Sequence, residues 1–293
     1  MFRLGVSIAA LTLSLLAMTG QASARTEDKD VAKLTSFGGM CANCDLAGRK
    51  LTNAKFTGAN FAKAVLIGAD LRGAMFYGSN FAFADLSRTD LRGAEMRGAN
   101  FHGANFTDAR MSGVESSGAN FHQAMLLRVD LSSSELHAAQ LIGANLQRAR
   151  LSNAELIGAD LSRANARDAD FSNAEITHAN LGGGRFDGAN FRNADMTGSS
   201  LRGAVFGGAD LRHADLALAN LAGADLSGAR GLDQDQLDEA CGDNSTRLPS
   251  GLSVRPCNGL RGGQPFMLLR AVPKAPPAPP APPKAPKAPK DPK

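Results

Sequence analysis

The sequence predicts an all-β solenoid, a coil that turns four corners per turn and buries one large and one small side chain on every side. Three observations carry this prediction. From Leu46 to Leu226 every fifth residue is a centre position without a slip, and of the 37 centres only Ser116 and Ala166 are not large and apolar. Two residues before each centre lies a small residue, which from Ala54 to Ala229 is Ala in 29 of 36 places, the others being Ser79, Thr89, Val114, Val129, Ser134, Gly184 and Ser199. The centres also repeat in kind every 20 residues: Phe61, Phe81, Phe101 and Phe121 continue in one file as Leu141, Leu161, Leu181, Leu201 and Leu221.

A period of five suits neither regular element. On an α-helix, five residues advance the face by about 140°, so the large side chains would spiral around the axis and form no stripe. On a straight strand, five steps reverse the face each time, and alternate centres would point into water. The chain must turn a corner once per repeat for all centres to point inward. The small residue, two positions from the centre on a short extended segment, then points inward as well. The remaining positions face out and are polar: Asn or Asp before the centre, Ser, Thr or Arg after it. Gly fills half of the 36 slots just before the small residue, which suits a corner with unusual backbone angles. Like stacks on like if a turn is 20 residues, four sides of five. The 37 sides then make roughly nine turns, and at a strand spacing of about 4.8 Å the coil is about 43 Å long. Two sides break the pattern. Val114 adds volume beside Ser116. At Ala166, between Leu146 and Phe186 in its file, either Phe186 leans in or a small cavity or constriction is left.

The recurrent Ala-(Asp/Asn)-Leu run resembles the pentapeptide repeat family, whose members form right-handed quadrilateral β-helices. The resemblance spans about 185 of the 293 residues. The flanks are similar too: Cys41–Gly48 resembles the segment that opens many such domains, and Leu237–Asp243 with Arg247–Leu252 one that often closes them in bacterial members. Some members are acidic rods that mimic DNA and bind DNA gyrase, so the resemblance carries a topoisomerase-binding role as a further alternative.

The organisation follows. Residues 1–24 have the form of a secretory signal peptide: Arg3, an apolar run from Leu4 to Met18, then Ala22-Ser23-Ala24, with cleavage expected between Ala24 and Arg25. Export to the periplasm or the cell exterior is therefore expected, and no other stretch is apolar enough to cross a membrane. Residues 25–45 form an N-terminal cap with Cys41 and Cys44, residues 46–230 the coil, and residues 231–270 a C-terminal cap. All four Cys lie outside the array, and in an exported chain an even count points to disulfides. A Cys41–Cys44 bridge would pin the first turn, with free thiols as the alternative. A redox motif would need the pair to open a helix in a βαβ setting, and here it runs straight into repeats. Cys241–Cys257 would close a loop of about 16 residues. Asp233 and Gln236 can form a capping box for a short helix whose apolar side is Leu237, Ala240 and Cys241, a lid over the last turn. Residues 271–293, with ten Pro and with Lys274, Lys284, Lys287, Lys290 and Lys293 against Asp291, are expected to be a disordered, polyproline-biased tail.

Chemistry is sparse. Between Asp45 and Arg230 there are 19 acidic and 19 basic residues, which gives a neutral, interleaved coil without the dense negative surface of a DNA mimic and without a basic stripe for nucleic acid. His102 and His122, 20 apart, stack on one outer face, but Ala82 and Ile142 flank them and no third metal ligand is evident. Arg72 and Arg92 stack likewise, as do Arg192 and Arg212, each beside Asp70, Asp90 or Asp210. Outward apolar residues (Ile67, Tyr77, Phe83, Leu127, Ile142, Ile157, Leu218) are spread over several sides. No insertion walls a pocket, so no enzyme, cofactor or metal is expected. The expectation is a structural or protein-binding scaffold with an unidentified protein or cell-envelope partner. The open coil ends allow end-to-end pairing of copies. The first alternative is a binder of anionic envelope polymer through the basic tail.

Overall fold

A computed structural model describes residues 39–257. The signal segment with Ala24 and Arg25, the first part of the N-terminal cap, residues 258–270 and the tail with its five Lys lie outside the described residues. Between Met40 and Arg230 every fifth residue forms a parallel bridge with the residue 20 further on, from Met40–Asn60 to Asp210–Arg230. A turn is therefore 20 residues, as the Phe and Leu files require. The chain is a right-handed quadrilateral β-helix.

One side shows how the sequence closes the coil. Leu51, a centre, donates its N–H to the Asp70 carbonyl one turn on at 2.8 Å, and Asn53 donates to the Arg72 carbonyl at 2.9 Å. In return Asp70 donates to the Arg49 carbonyl at 2.9 Å. The corner is a turn in which Ala54 donates to the Leu51 carbonyl at 3.1 Å and Asn53 has φ 56°. Positive φ at the third residue is the signature of a type II turn. It recurs at each corner from Asn43 to Gly223, on 18 Gly and 19 other residues.

The interior is as predicted. The file from Phe61 to Leu221 is buried throughout, and Phe61 stacks on Phe81 and Phe101 on Phe121 at 4.8 and 5.2 Å between ring centroids. Ser116 and Ala166 are fully buried in their centre slots. Among the described residues the Ser116 hydroxyl has no hydrogen-bond partner, so Val114 supplies volume beside it but no polar contact. The Phe186 ring lies over Gly184, where a Cβ would stand 2.6 Å from Cε2, and stacks on Phe206 at 5.2 Å. The missing Cβ at 184 is what lets that ring settle over its own small slot.

The two ends differ from the predicted boundaries. Cys41 and Cys44 are bridged, but they belong to the coil. Cys41 occupies the centre slot five residues before Leu46, and Cys44 the small slot, with the Cys44 N–H on the Cys41 carbonyl at 3.2 Å. The disulfide thus joins two inward positions across the first corner. At the other end α1 (Gln234–Leu237) carries the predicted capping box between Asp233 and Gln236. Gln236 also donates to the Leu211 and Ala214 carbonyls at 2.8 and 2.7 Å, which satisfies backbone that the last regular turn leaves open. Leu237 and Ala240 are buried beneath it. The helix ends at Leu237, so neither Ala240 nor Cys241 is part of it: Cys241 lies in β1 (Cys241–Gly242), which pairs in parallel with β2 (Arg255–Pro256) and is tied to Cys257 by the second disulfide. The register loosens here, since Asn220 pairs with Cys241 and Asp225 with Arg247, 21 and 22 residues on.

Candidate functional site

Each side shows one outward residue, the bridging residue just before the centre, and the four sides carry four different files of them. Where that residue is Asn or Asp, except at Asn165, whose Oδ1 is buried without a hydrogen-bond partner among the described residues, it ties down its own corner. Its Oδ1 accepts the N–H two residues on, as from Ala62 to Asn60 at 3.1 Å and from Ser162 to Asp160 at 2.9 Å. This explains the Asn or Asp before the centre in the sequence. On one side the amides also bond to one another: Asn80, Asn100 and Asn120 each exchange a hydrogen bond with the Asn one turn below or above, at 3.0 to 3.2 Å.

A second side is different. Its bridging residues from the third turn on are Glu95, Glu115, Glu135, Glu155, Glu175, Asp195 and Asp215, paired in register one above the next. At about 4.8 Å per turn the seven carboxylates span about 29 Å. The five Glu of this file are the only Glu between Asp45 and Arg230. Asp195 and Asp215 make the usual turn bond, to the Thr197 and Ala217 N–H at 2.9 Å. Glu has one more methylene, and among the described residues none of the five Glu makes that bond. Of the five, only Glu115 has an ion-pair partner there, Arg97, while Glu155 shares a hydrogen bond with His137 Nε2 at 2.8 Å. The expected even interleaving of charge is therefore corrected. The totals balance, but the geometry gathers seven of the 19 acidic residues on one side.

Elsewhere charges do alternate. Arg72 clasps Asp70 through Nε and Nη2 at 2.8 and 2.7 Å, and Arg92 clasps Asp90 at 2.8 and 2.6 Å. The Arg72 and Arg92 guanidiniums hold the Asp70 and Asp90 carboxyls below the usual carboxylate range. Arg192 and Arg212 converge on Asp210, at 2.7 and 2.6 Å. The stacked Arg pairs of the sequence are thus occupied by the Asp beside them.

His102 and His122 stand together as predicted, 5.1 Å between ring centroids, but the exposed Phe83 ring packs edge-on against His102 at 5.1 Å and over Gly103. Among the described residues no group of His, Cys, Asp or Glu is placed to hold a metal. Of the outward apolar residues, Phe83 and Leu218 are exposed, while Ile67, Tyr77, Leu127, Ile142 and Ile157 are half-buried. Met40 and Met125 are exposed too, and the sequence reading missed them. Among the described residues no helix is long and apolar enough to cross a membrane.

Four-sided turns of five-residue sides, one large and one small residue inside each, define a pentapeptide solenoid. The model of the pentapeptide repeats matches in eight copies over residues 41–76, 75–113 and 117–230, and the chain belongs to this family. Among solved structures it is similar to HetL of the cyanobacterium Nostoc sp. strain PCC 7120, a pentapeptide repeat protein involved in heterocyst differentiation regulation (27% identity, 68% of this chain and 92% of that one, TM-score 0.47). It is similar also to a pentapeptide repeat protein of the Arabidopsis thaliana thylakoid lumen (32% identity, 33% and 71%, TM-score 0.23). A third is QnrB1, a plasmid-mediated fluoroquinolone resistance protein (22% identity, 68% and 91%, TM-score 0.38). No curated protein matches the chain.

Proposed function

We propose that this protein is an exported, non-enzymatic scaffold that docks a basic protein segment along the carboxylate file from Glu95 to Asp215. The observation behind this reading is the choice of Glu. At this position Asp or Asn stabilises the corner, and Glu gives up that bond to project a charge into water. Seven like charges in register also repel one another, so the file costs stability and needs a reason outside the fold. A straight ladder of carboxylates complements an extended or helical segment rich in Lys or Arg. Export is supported by the disulfides near both ends of the coil, which persist in an oxidising compartment. The family is generally without catalytic activity. The test is cross-linking of the full chain in envelope extract beside a variant with Glu135, Glu155 and Glu175 changed to Gln. A basic partner recovered by the native chain alone supports the reading; equal recovery by both overturns it. A second reading rests on the five Lys of residues 271–293, which suit attachment to an anionic envelope polymer. Removing those residues should then abolish co-sedimentation with envelope fractions, and unchanged sedimentation eliminates it.

A further inference from the structure

On the side that carries Asp70, Asp90 and Arg110 lies a groove of about 430 Å³, lined by Gly68, Asp70, Arg88, Asp90, Asp108 and Arg110. Four of these form a two-by-two block. Arg88 and Asp90 flank Thr89 on one turn, and Asp108 and Arg110 flank Ala109 on the next, with Asp90 bridged to Arg110. The two Arg therefore lie on one diagonal. All three carboxylates are already clasped from outside the groove: Asp70 by Arg72, Asp90 by Arg92, and Asp108 by Arg128 through Nε and Nη2 at 2.6 and 2.7 Å. Each of those pairs is close to neutral. Among the described residues neither the Arg88 nor the Arg110 side chain has a hydrogen-bond or ion-pair partner. Gly68 leaves the lower end open, since a Cβ there would meet nothing within 4 Å.

We infer that this groove binds a phosphate-type oxyanion held between the guanidiniums of Arg88 and Arg110. Two positive charges left over in a concave site whose carboxylates are already matched make a place for a divalent anion. The planar fork of Arg suits tetrahedral oxyanions through paired N–H donors. The phosphoryl group is either a free ion or an ester on a larger molecule. The site is independent of the carboxylate file, which lies on another side.

The test is a titration of the isotope-labelled full chain with inorganic phosphate at constant ionic strength, read at the Arg88 and Arg110 Nε–H resonances. These resonances are assigned by their loss in R88Q and R110Q. Because the readout is local, the Lys of the tail do not interfere. A saturable shift of both resonances, with affinity lowered about tenfold or more in either Gln variant, supports the site. R88K should fall between the native chain and R88Q, since it keeps the charge and loses the fork. Both side chains are exposed, so melting should be unchanged. Glycerol phosphate in a parallel arm separates the sources: matching affinity points to an ester-borne group, binding of inorganic phosphate alone to a free ion. No shift, or the same shift with chloride, overturns the inference.

Discussion

At Leu218 the backbone sits at φ 59° beneath a branched side chain that is 63% exposed. Every corner from Asn43 to Gly223 imposes this left-handed geometry, and 12 of its non-Gly occupants are neither Asn nor Asp. Left-handed backbone is costly for a residue with a Cβ and free for Gly. Two substitutions isolate that term. At Gly118, φ 65°, an added Cβ would meet nothing within 4 Å, so Gly118→Ala brings strain without a clash. It should lower stability by about 1 kcal/mol in denaturant melts. Leu218→Gly removes strain and little burial, and should raise stability by about 0.5 kcal/mol. Phe83, φ 60°, is the instructive contrast, because its ring packs on Gly103 and His102 and a Gly there would lose contact as well as strain. Equal melts for Gly118→Ala and the native chain would mean that the corner does not hold positive φ in solution.

The carboxylate file and the C-terminal cap make opposite use of acidic residues. Glu135 sits between Glu115 and Glu155 with no ion-pair partner among the described residues. Charges about 4.8 Å apart lie within the Debye length of about 10 Å at 0.1 M salt. Glu135→Gln should therefore raise stability by roughly 0.2–1 kcal/mol, with the gain shrinking as salt is added. A destabilised or salt-independent variant would remove repulsion from the account. In the cap the carboxylate is satisfied. Asp243 accepts from the Ser245 hydroxyl at 2.6 Å, the Ser245 N–H at 2.9 Å, the Gly223 N–H at 3.0 Å and the Thr246 hydroxyl at 3.3 Å. Those donors, the Ser245 hydroxyl first, pull its pKa from 3.8 down to about 2. Because the folded value is the lower one, the stabilisation is complete above pH 3.8, fades as the unfolded chain takes its proton first, and is gone below about 2. Hydrogen-exchange protection at the Gly223 amide should fall across that window and should show no such step in Asp243→Ala.

At the scale of the whole coil, two numbers written in the sequence fix most of the architecture. The period of five picks out both inward positions, and the period of 20 in the Phe61–Leu221 file sets the number of sides, because like side chains stack best on like. The capping box at Asp233 and Gln236 and both disulfides were legible for equally local reasons. The place of Cys41 inside the coil was there to be counted, one side before Leu46, but a different residue type hid the register. The carboxylate file was missed for a different reason: summing charge along the chain discards the 20-residue step that stacks Glu95 to Asp215. Positive φ at Lys63 or Arg88 has no local signal, since stacking on neighbouring turns imposes it. The groove at Arg88 and Arg110 depends on which guanidinium clasps which carboxylate, and spacing does not decide that. The separation of period five from period 20 can be tested directly. Deleting residues 126–145 removes one whole turn, Glu135 with it, and leaves six carboxylates in one continuous file. Deleting only residues 126–130 also keeps every centre in step, so the coil still closes. It rotates all later sides by a quarter turn, however, and moves Glu135, Glu155, Glu175, Asp195 and Asp215 away from Glu95 and Glu115. In a solenoid each turn contacts only its neighbours, so both variants should unfold cooperatively, with similar midpoints. The one-turn deletion should retain the basic partner recovered by the native chain, and the one-side deletion should lose most of it. Retention by both would place recognition somewhere other than the carboxylate file, and collapse of the one-side variant alone would show that stacking of like on like inside the coil, beyond the inward placement of each side chain, holds the turns together.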